Sequence, residues 1–270
     1  MNTLKEDDFI RLYTFIQKKY GINLSKKKQL IEGRLNSTLL SMGYDDFSKY
    51  VDFILTKATE KDIEVMLNKL TTNYTYFMRE KVHFDFFINN ILPGLVKNKK
   101  DKVLSIWSAG CSTGQEPYTL SILIKEFLGK EAHLWDTRVL ATDISQKVLL
   151  QAQKGVYPEE SLKDMPSEWV RKYFKRVENT DQYEVSPGLR SNVIFKTFNL
   201  MDPIQFKIPF DVIFCRNVMI YFNQPTKDDL VDRFYDSTNR GGYLIIGLSE
   251  TINKSGSKYK YVMPAVYRKI

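Results

Sequence analysis

Histidine and cysteine are scarce, two of each in 270 residues, and their shortage removes several chemistries at once. With His83 and His133 the only histidines and Cys111 and Cys215 the only cysteines, neither a structural zinc site nor a histidine-based triad has its parts, and no metal is expected. Both cysteines fall at the ends of apolar runs that read as strands, as small packing residues would. No apolar run approaches the roughly 20 residues that span a bilayer, so no membrane insertion is expected. The amino-terminal Met1-Asn-Thr-Leu-Lys-Glu-Asp-Asp is too polar and acidic for a secretory signal, and a cytoplasmic address is expected. Internal repeats and low-complexity tracts are missing too. A composition that is 43% hydrophobic allows a full core, in one large domain or two small ones.

Two phosphate signatures are also lacking. In Val103-Leu-Ser-Ile-Trp-Ser-Ala-Gly-Cys-Ser-Thr-Gly-Gln-Glu-Pro-Tyr-Thr-Leu-Ser121 an apolar strand breaks at Gly110, passes Gly114 and restarts as a helix. The spacing of Gly110 and Gly114 leaves the three-glycine dinucleotide fingerprint incomplete, and no Gly-Lys-Ser/Thr follows to grip a triphosphate. The strand–loop–helix layout still presents backbone N–H groups and a helix amino terminus to a ligand. Glu116 opens the helix, and the next strand, Arg138-Val-Leu-Ala-Thr-Asp143, ends in an acid placed to accept hydrogen bonds from both hydroxyls of a ribose. An adenosine-containing ligand without phosphates fits best. S-adenosylmethionine (SAM) has that character, and Glu116 suits its positive sulfonium and amino group better than it would suit a pyrophosphate.

Hydrophobic periodicity divides the chain. Residues 4–70 are helical in pattern, with Phe9, Leu12, Tyr13 and Ile16, then Phe47, Tyr50, Val51 and Ile54, then Ile63, Met66, Leu67 and Leu70 each forming one face. Residues 71–80 break this pattern, and a helical Phe84-Asp-Phe-Phe-Ile stretch and a Pro93-Gly turn follow, so 71–100 is assigned as a linker. From Lys102 strands and helices alternate, with strands at 103–107, 139–142, 211–215 and 242–247 and a closing strand or hairpin at 259–268. This pattern predicts a doubly wound α/β sheet. Within 155–195, Tyr183-Glu-Val and Val193-Ile-Phe flank a Ser186-Pro-Gly turn, which predicts a small inserted antiparallel excursion.

In open α/β sheets ligands bind beyond the carboxyl ends of the strands. Two further strand ends carry polar groups there: Phe195-Lys-Thr-Phe-Asn-Leu-Met-Asp202, in which Asn199 and the backbone of Leu200 are placed to read an adenine edge, and Phe210-Asp-Val-Ile-Phe-Cys-Arg-Asn-Val-Met-Ile-Tyr-Phe222, in which Arg216 and Asn217 follow directly on an apolar run. The net charge is +8, and residues 1–100 hold 17 Lys and Arg against 12 Asp and Glu. Ser25-Lys-Lys-Lys-Gln-Leu-Ile-Glu-Gly-Arg-Leu reads as a helix capped by Ser25, with Lys27 and Arg34 seven apart on one face. That face is either a solvated basic stripe or a surface for an acidic partner. Its basic residues are not interleaved with aromatics in a nucleic-acid-binding pattern.

Five segments in order, Thr71-Thr-Asn-Tyr-Thr-Tyr-Phe-Met-Arg-Glu80, Trp107-Ser-Ala-Gly-Cys-Ser-Thr-Gly-Gln-Glu-Pro-Tyr118, Ala141-Thr-Asp-Ile-Ser145, Phe214-Cys-Arg-Asn-Val-Met-Ile-Tyr-Phe222 and Gly242-Tyr-Leu-Ile-Ile-Gly-Leu-Ser-Glu250, resemble the CheR-type chemotaxis receptor methyltransferases over nearly the whole chain. The resemblance implies an amino-terminal helical docking domain (1–70), a linker (71–100) and a Rossmann-like SAM-binding domain (101–270) carrying a small antiparallel β-subdomain (155–195). It implies methyl transfer from SAM to glutamate side chains of membrane chemoreceptors, giving γ-glutamyl methyl esters and S-adenosylhomocysteine (SAH).

Carried over by motif, the resemblance assigns Asn73, Thr75, Arg79, Glu116, Asp143, Asn199, Leu200, Arg216 and Asn217 to the cofactor; Asn73, Thr75 and Arg79 rest on it alone. A glutamate is already ionised near pH 7, so methyl transfer to it needs no general base and positioning is the main task. Arg79 is the candidate for orienting the incoming carboxylate, and Tyr221 for assisting with its hydroxyl and shielding the methyl group. The resemblance also raises Lys27, Lys28 and Arg34 to contacts with the acidic helical bundle of the receptor. One segment departs from the family pattern: Arg176-Val-Glu-Asn-Thr-Asp-Gln-Tyr183 lacks the glycine found where some members hold a receptor-tail peptide, which weighs against tethering. A sensing adaptor would keep Glu116 and Asp143 but not need Arg79 and Tyr221. A nucleic-acid methyltransferase would show a stronger basic surface or an Asp/Asn-Pro-Pro-Tyr/Phe motif, which is missing, so no nucleic-acid partner is expected. A monomer is expected.

Overall fold

A computed structural model describes residues 3–253 and 256–270. The amino-terminal region folds as four helices, α1 (Glu6–Tyr20), α2 (Lys28–Ser41), α3 (Phe47–Thr56) and α4 (Glu60–Leu70). Local chemistry sets several of their ends. Glu6, Asp7 and Asp8 in the first turn of α1 and Lys18 and Lys19 in its last complement the helix dipole, and Gly21 closes it with φ +73°. Asp46 caps α3 by accepting from the Lys49 N–H at 2.8 Å, and Thr59 and Asp62 form a reciprocal capping box on α4. The expected Ser25 cap is not found: the hydroxyl of Ser25 donates to Asn23 at 2.7 Å, and α2 starts three residues later without a side-chain cap.

The assigned linker is of two kinds. Residues 71–80 are irregular, whereas α5 (Lys81–Phe86), a π-helical turn (Phe87–Ile91) and α6 (Leu92–Asn98) run on without interruption. The expected Pro93-Gly turn is instead helical, at the start of α6 directly after the π-helical turn. Phe84 and Phe87 lie with ring centroids 6.2 and 5.5 Å from that of Phe214, so this half of the linker covers one face of the sheet.

The remaining elements are β1 (Ile106–Ala109), α7 (Gln115–Leu128), β2 (Val139–Asp143), α8 (Gln146–Lys154), β3 (Val156–Pro158), α9 (Ser167–Tyr173), β4 (Phe174–Arg176), β5 (Gln182–Val185), α10 (Pro187–Arg190), β6 (Val193–Thr197), β7 (Phe210–Cys215), α11 (Gln224–Asp236), β8 (Thr238–Ile246), β9 (Lys260–Met263) and β10 (Val266–Arg268). The main sheet has the order β6-β2-β1-β7-β8-β10-β9. Its first five strands are parallel, and β10 runs antiparallel to both its neighbours. Strand order reverses between β1 and β7, which opens a crevice beyond their carboxyl ends. A separate antiparallel sheet, β3-β5-β4, forms the excursion. It closes at Val185: Ser186-Pro-Gly leads into α10, and Val193-Ile-Phe belongs to the main sheet, paired with β2.

Central strands β1 and β7 are buried at every residue, because helices cover both faces. On one face Trp107 sits among Phe198, Phe206, Phe210 and Phe234, its centroid 5.1–5.8 Å from theirs, and its indole N–H donates to Thr142 at 2.9 Å. That core is continuous with the one formed by Leu12, Ile16, Ile31, Leu35 and Tyr50 of the four-helix region. Three polar contacts fix the region on the sheet: Asn199 donates to the Lys19 carbonyl (2.9 Å), the Asn23 N–H donates to the Tyr221 carbonyl (2.8 Å), and Glu64 accepts from the Lys147 N–H at the start of α8 (2.7 Å). Among the described residues no helix is long and apolar enough to cross a membrane.

Candidate active site

The crevice holds a cavity of about 420 Å³. Its floor is the loop from β1 to α7, where the two glycines are there for close packing. Gly110 has φ +83°, and a Cβ on it would lie 2.3 Å from a methyl of Val218; Gly114 has φ +94°, and a Cβ would lie 2.7 Å from that of Ala152. The N–H groups of Gly110 and Cys111 both donate to the Thr142 carbonyl, at 2.8 and 2.9 Å, and that of Ser112 donates to Asp143 at 2.9 Å. Those donors are spent on β2, so the loop is no phosphate cradle. Asp143 also accepts from Ser145 N–H at 3.0 Å. Burial pushes its carboxyl above the ordinary range, against the opposing pull of the Ser145, Ser112 and Ile144 N–H groups.

A network of charges stands beyond β7. The Arg216 guanidinium, 2% exposed, donates to Glu116 at 2.9 Å, to Glu80 at 3.2 Å and to the Arg79 carbonyl, and lies 5.0 Å from the centroid of the Phe84 ring. Glu116 also accepts from the Ser108 hydroxyl at 2.7 Å. Glu80 also accepts from the Asn217 amide (3.1 Å) and the Leu248 N–H (3.2 Å). Burial alone would raise the Glu80 carboxyl; the Arg216 charge and these hydrogen bonds outweigh it, and the net shift is downward. His83, fully buried with its Nδ1 3.4 Å from Glu80, is pushed down to about 4 by burial and by Arg216, so it is neutral at pH 7. Below Asn217, Glu250 accepts from the N–H groups of Gly247 (2.6 Å), Asn217 (2.9 Å) and Ile220 (3.0 Å) and braces the turn after β7. The backbones of Met78, Glu80, Ser112 and Asn217 are all left-handed, with φ between +50° and +62°.

At the mouth, Arg79 donates to the Tyr74 carbonyl at 2.7 Å and pairs with no carboxylate among the described residues. The Tyr221 hydroxyl donates to the Thr72 carbonyl (3.2 Å) and accepts from its N–H (3.4 Å), tying the irregular half of the linker to the turn after β7. Both cysteines are buried, and burial raises their thiols well above the ordinary value, the opposite of what a nucleophile needs.

Two family profiles cover almost all of this chain: "CheR methyltransferase, all-alpha domain" matches residues 7–71 and "CheR methyltransferase, SAM binding domain" matches 73–267. The chain belongs to the CheR methyltransferase family. A chemotaxis protein methyltransferase of Borreliella burgdorferi is 41% identical over 98% of this chain and 95% of its own length. Those of Pseudomonas putida (Cher2) and Escherichia coli are 33% and 32% identical, covering 94% and 98% of this chain and 94% and 91% of their own. Membership makes this a SAM-dependent methyltransferase, with the helical region and the Rossmann-like sheet as its two family domains.

Against that CheR frame the cofactor candidates converge. Asn73, Thr75, Arg79, Glu116, Asp143, Asn199, Leu200, Arg216 and Asn217 all line the one cavity, as does Tyr221. Their roles are less uniform than their positions. Asn199 has its amide engaged, donating to Lys19 and accepting from the Met201 N–H at 3.1 Å, and Glu116 has its charge matched by Arg216. Lys27, Lys28 and Arg34 lie away from the cavity lining. Lys27 is exposed, Lys28 pairs with Glu6 at 2.8 Å, and Arg34 reaches the carbonyls of Lys69, Leu70 and Thr71 at 3.3, 2.9 and 3.4 Å, where it caps α4. Glu80, His83, Ser108 and Glu250 were not singled out in the sequence. Glu80 and Glu250 end two of the five motifs, and an acid at a motif's end near Arg216 and Asn217 was the available signal.

Proposed function

We propose that the cavity holds SAM with its sulfonium and amino group at the Glu80–Arg216–Glu116 network, its ribose at Asp143 and its adenine toward Leu200, and that the acceptor is the γ-carboxylate of a chemoreceptor glutamate. The observation that carries this reading is the pair of carboxylates in the lining. Glu116 and Asp143 both line the cavity, and Glu80, behind the lining, shares with Glu116 the charge of Arg216. Glu116 is placed to favour a cationic ligand group and Asp143 to accept from ribose hydroxyls.

When bound, SAM supplies a methyl group on a sulfonium centre for in-line transfer to an oxygen nucleophile. The chain's own residues do the positioning. Arg79, tied only to a carbonyl, keeps donors for an incoming carboxylate. Tyr221, held by Thr72, walls the acceptor end of the cavity and keeps the linker closed over it. An ionised glutamate needs no base, in keeping with the buried, unreactive cysteines and the neutral His83.

Lys27 and Lys28 on the outer side of the helical region face the acidic receptor bundle, whereas Arg34 supports α4. The β4–β5 turn, without a glycine, binds no receptor-tail peptide, and adding such a peptide gives no calorimetric heat. The protein acts as a monomer in the cytoplasm. The deciding experiment is transfer from methyl-labelled SAM to membranes containing the organism's receptors, followed by mild alkali. Label released as methanol establishes a carboxyl methyl ester; SAH binding without transferred label overturns the assignment of acceptor.

A further inference from the structure

The carboxylate of Asp143 is held by a chain of hydrogen bonds that begins in the helical region. Asp143 lines the cavity, one of its oxygens accepting from the Ser112 N–H at 2.9 Å and the other from the Ser145 N–H at 3.0 Å. Ser145, only 4% exposed, caps α8: its hydroxyl accepts from the Val148 N–H at 3.3 Å and donates to Glu64 at 3.0 Å. The same oxygen of Glu64 accepts from the Lys147 N–H at 2.7 Å. Glu64 is half-buried on α4, 81 residues before the serine it holds. One atom of the helical region thus satisfies an N–H in the first turn of α8, which no carbonyl of that helix can reach, and takes the single proton of the Ser145 hydroxyl. Burial raises the Asp143 carboxyl and the charge of Glu64 adds to the rise, so the two acids lie within electrostatic reach of each other.

We propose that Glu64 is a positioning residue for the cofactor: it fixes Ser145, Ser145 fixes Asp143, and the carboxylate that takes the ribose hydroxyls is set from the helical domain. The inference rests on the reading that Asp143 receives the ribose of SAM. Two hydroxyls on one carboxylate need that group in a single orientation, and a binding group keeps its orientation when its own neighbours are locked by hydrogen bonds. Without an acceptor at Glu64 the Ser145 hydroxyl and the start of α8 lose their shared anchor, and the turn that carries Asp143 is free to shift. The domain that the sequence assigns to the receptor therefore contributes to cofactor affinity without touching the cofactor.

The test compares Glu64→Ala and Glu64→Gln in the full chain, with calorimetry of SAH and of the SAH analogue that lacks both ribose hydroxyls. Alanine removes the acceptor, whereas glutamine keeps one oxygen on the same stem, and both donors use a single oxygen. The dissociation constant for SAH should rise about 3- to 10-fold in Glu64→Ala, the worth of one hydrogen bond, and stay within about twofold of wild type in Glu64→Gln. The analogue should bind wild type and Glu64→Ala alike, because it offers Asp143 nothing to hold. Ser145→Ala cuts the same chain one link later, should show the same preference, and decides the matter if Glu64→Ala does not fold. Equal weakening for both ligands reveals a merely structural role and overturns the proposal. So does unchanged SAH binding in Glu64→Ala, or a Glu64→Gln as weak as Glu64→Ala. A wild-type protein that binds SAH and the analogue equally instead overturns the ribose reading beneath it, and one that binds neither overturns the cofactor reading.

Discussion

At the β7 end of the cavity Glu80, Glu116 and Arg216 answer one another, and Glu250 braces the turn behind them; at the α1 end Tyr20 and Ile22 line the cavity beside Phe198, Leu200 and Phe222. The first region is a charged network, though the Arg216 Nε and both ring nitrogens of His83 have no hydrogen-bond partner among the described residues. The second is lined by large aromatic and aliphatic side chains. A site that must place a methyl carbon benefits from rigidity where the reaction occurs, and can leave the far end of the ligand to apolar packing.

Removing the centre of the charged region is the strongest way to break this contrast. Arg216→Ala leaves two partly buried carboxylates without their cation and should cost about 3 kcal/mol in denaturant unfolding, together with SAH binding; a loss under 1 kcal/mol would show the network to be loosely held. The same region should make stability depend on acid. His83 is neutral in the fold with a pKa of about 4 and protonates near 6.5 when unfolded, so the unfolded chain binds the extra proton between those values. Stability should therefore fall as pH drops from about 6.5 to 4, by about 3 kcal/mol in all from this group. His83→Phe should flatten that part of the profile, and an unchanged slope would assign it to other groups.

Arg79 sharpens the comparison from the mouth. Arg79→Ala should lower single-turnover methyl transfer about 100-fold, the scale of one lost oriented charge, and near-normal transfer would remove it from the catalytic residues. The smallest effect lies outside the cavity. Reversing Lys27 and Lys28 to Glu should raise the KM for receptor about 5- to 10-fold at low salt and leave SAH affinity intact. Arg34→Glu is expected to differ in kind, costing about 1–2 kcal/mol of stability through the lost cap on α4; an intact melting point with raised KM would return Arg34 to the docking surface.

Periodicity and strand-end chemistry make the helical region, the doubly wound sheet and the strand-end residues of the cavity legible in the sequence, whereas Asn73, Thr75 and Arg79 are legible only through the family resemblance. What stayed hidden depends on partners distant in sequence. Nothing local to Arg34 tells that the carbonyls ending α4 lie within its reach, and nothing local to Asn199 tells that Lys19 takes its amide. Ser25 has the chemistry of a cap, but Asn23 two residues earlier competes for its hydroxyl. Val193-Ile-Phe alternates like a hairpin strand, and only its pairing with β2 places it in the main sheet. Glu80 stood in a quoted motif, yet its place at the centre of the network follows from strand ends more than 130 residues away.

Of the seven non-glycine residues with left-handed backbones among those described, four, Met78, Glu80, Ser112 and Asn217, belong to the segments that enclose the cavity. Each such conformation is held against a local preference of about 1–3 kcal/mol, which the surrounding packing must overcome. Glycine at Ser112 would relax the backbone while leaving Asp143 its main-chain donor. The molecule is thus under tension around the cavity, and a ligand there meets a shape already set rather than one it has to impose.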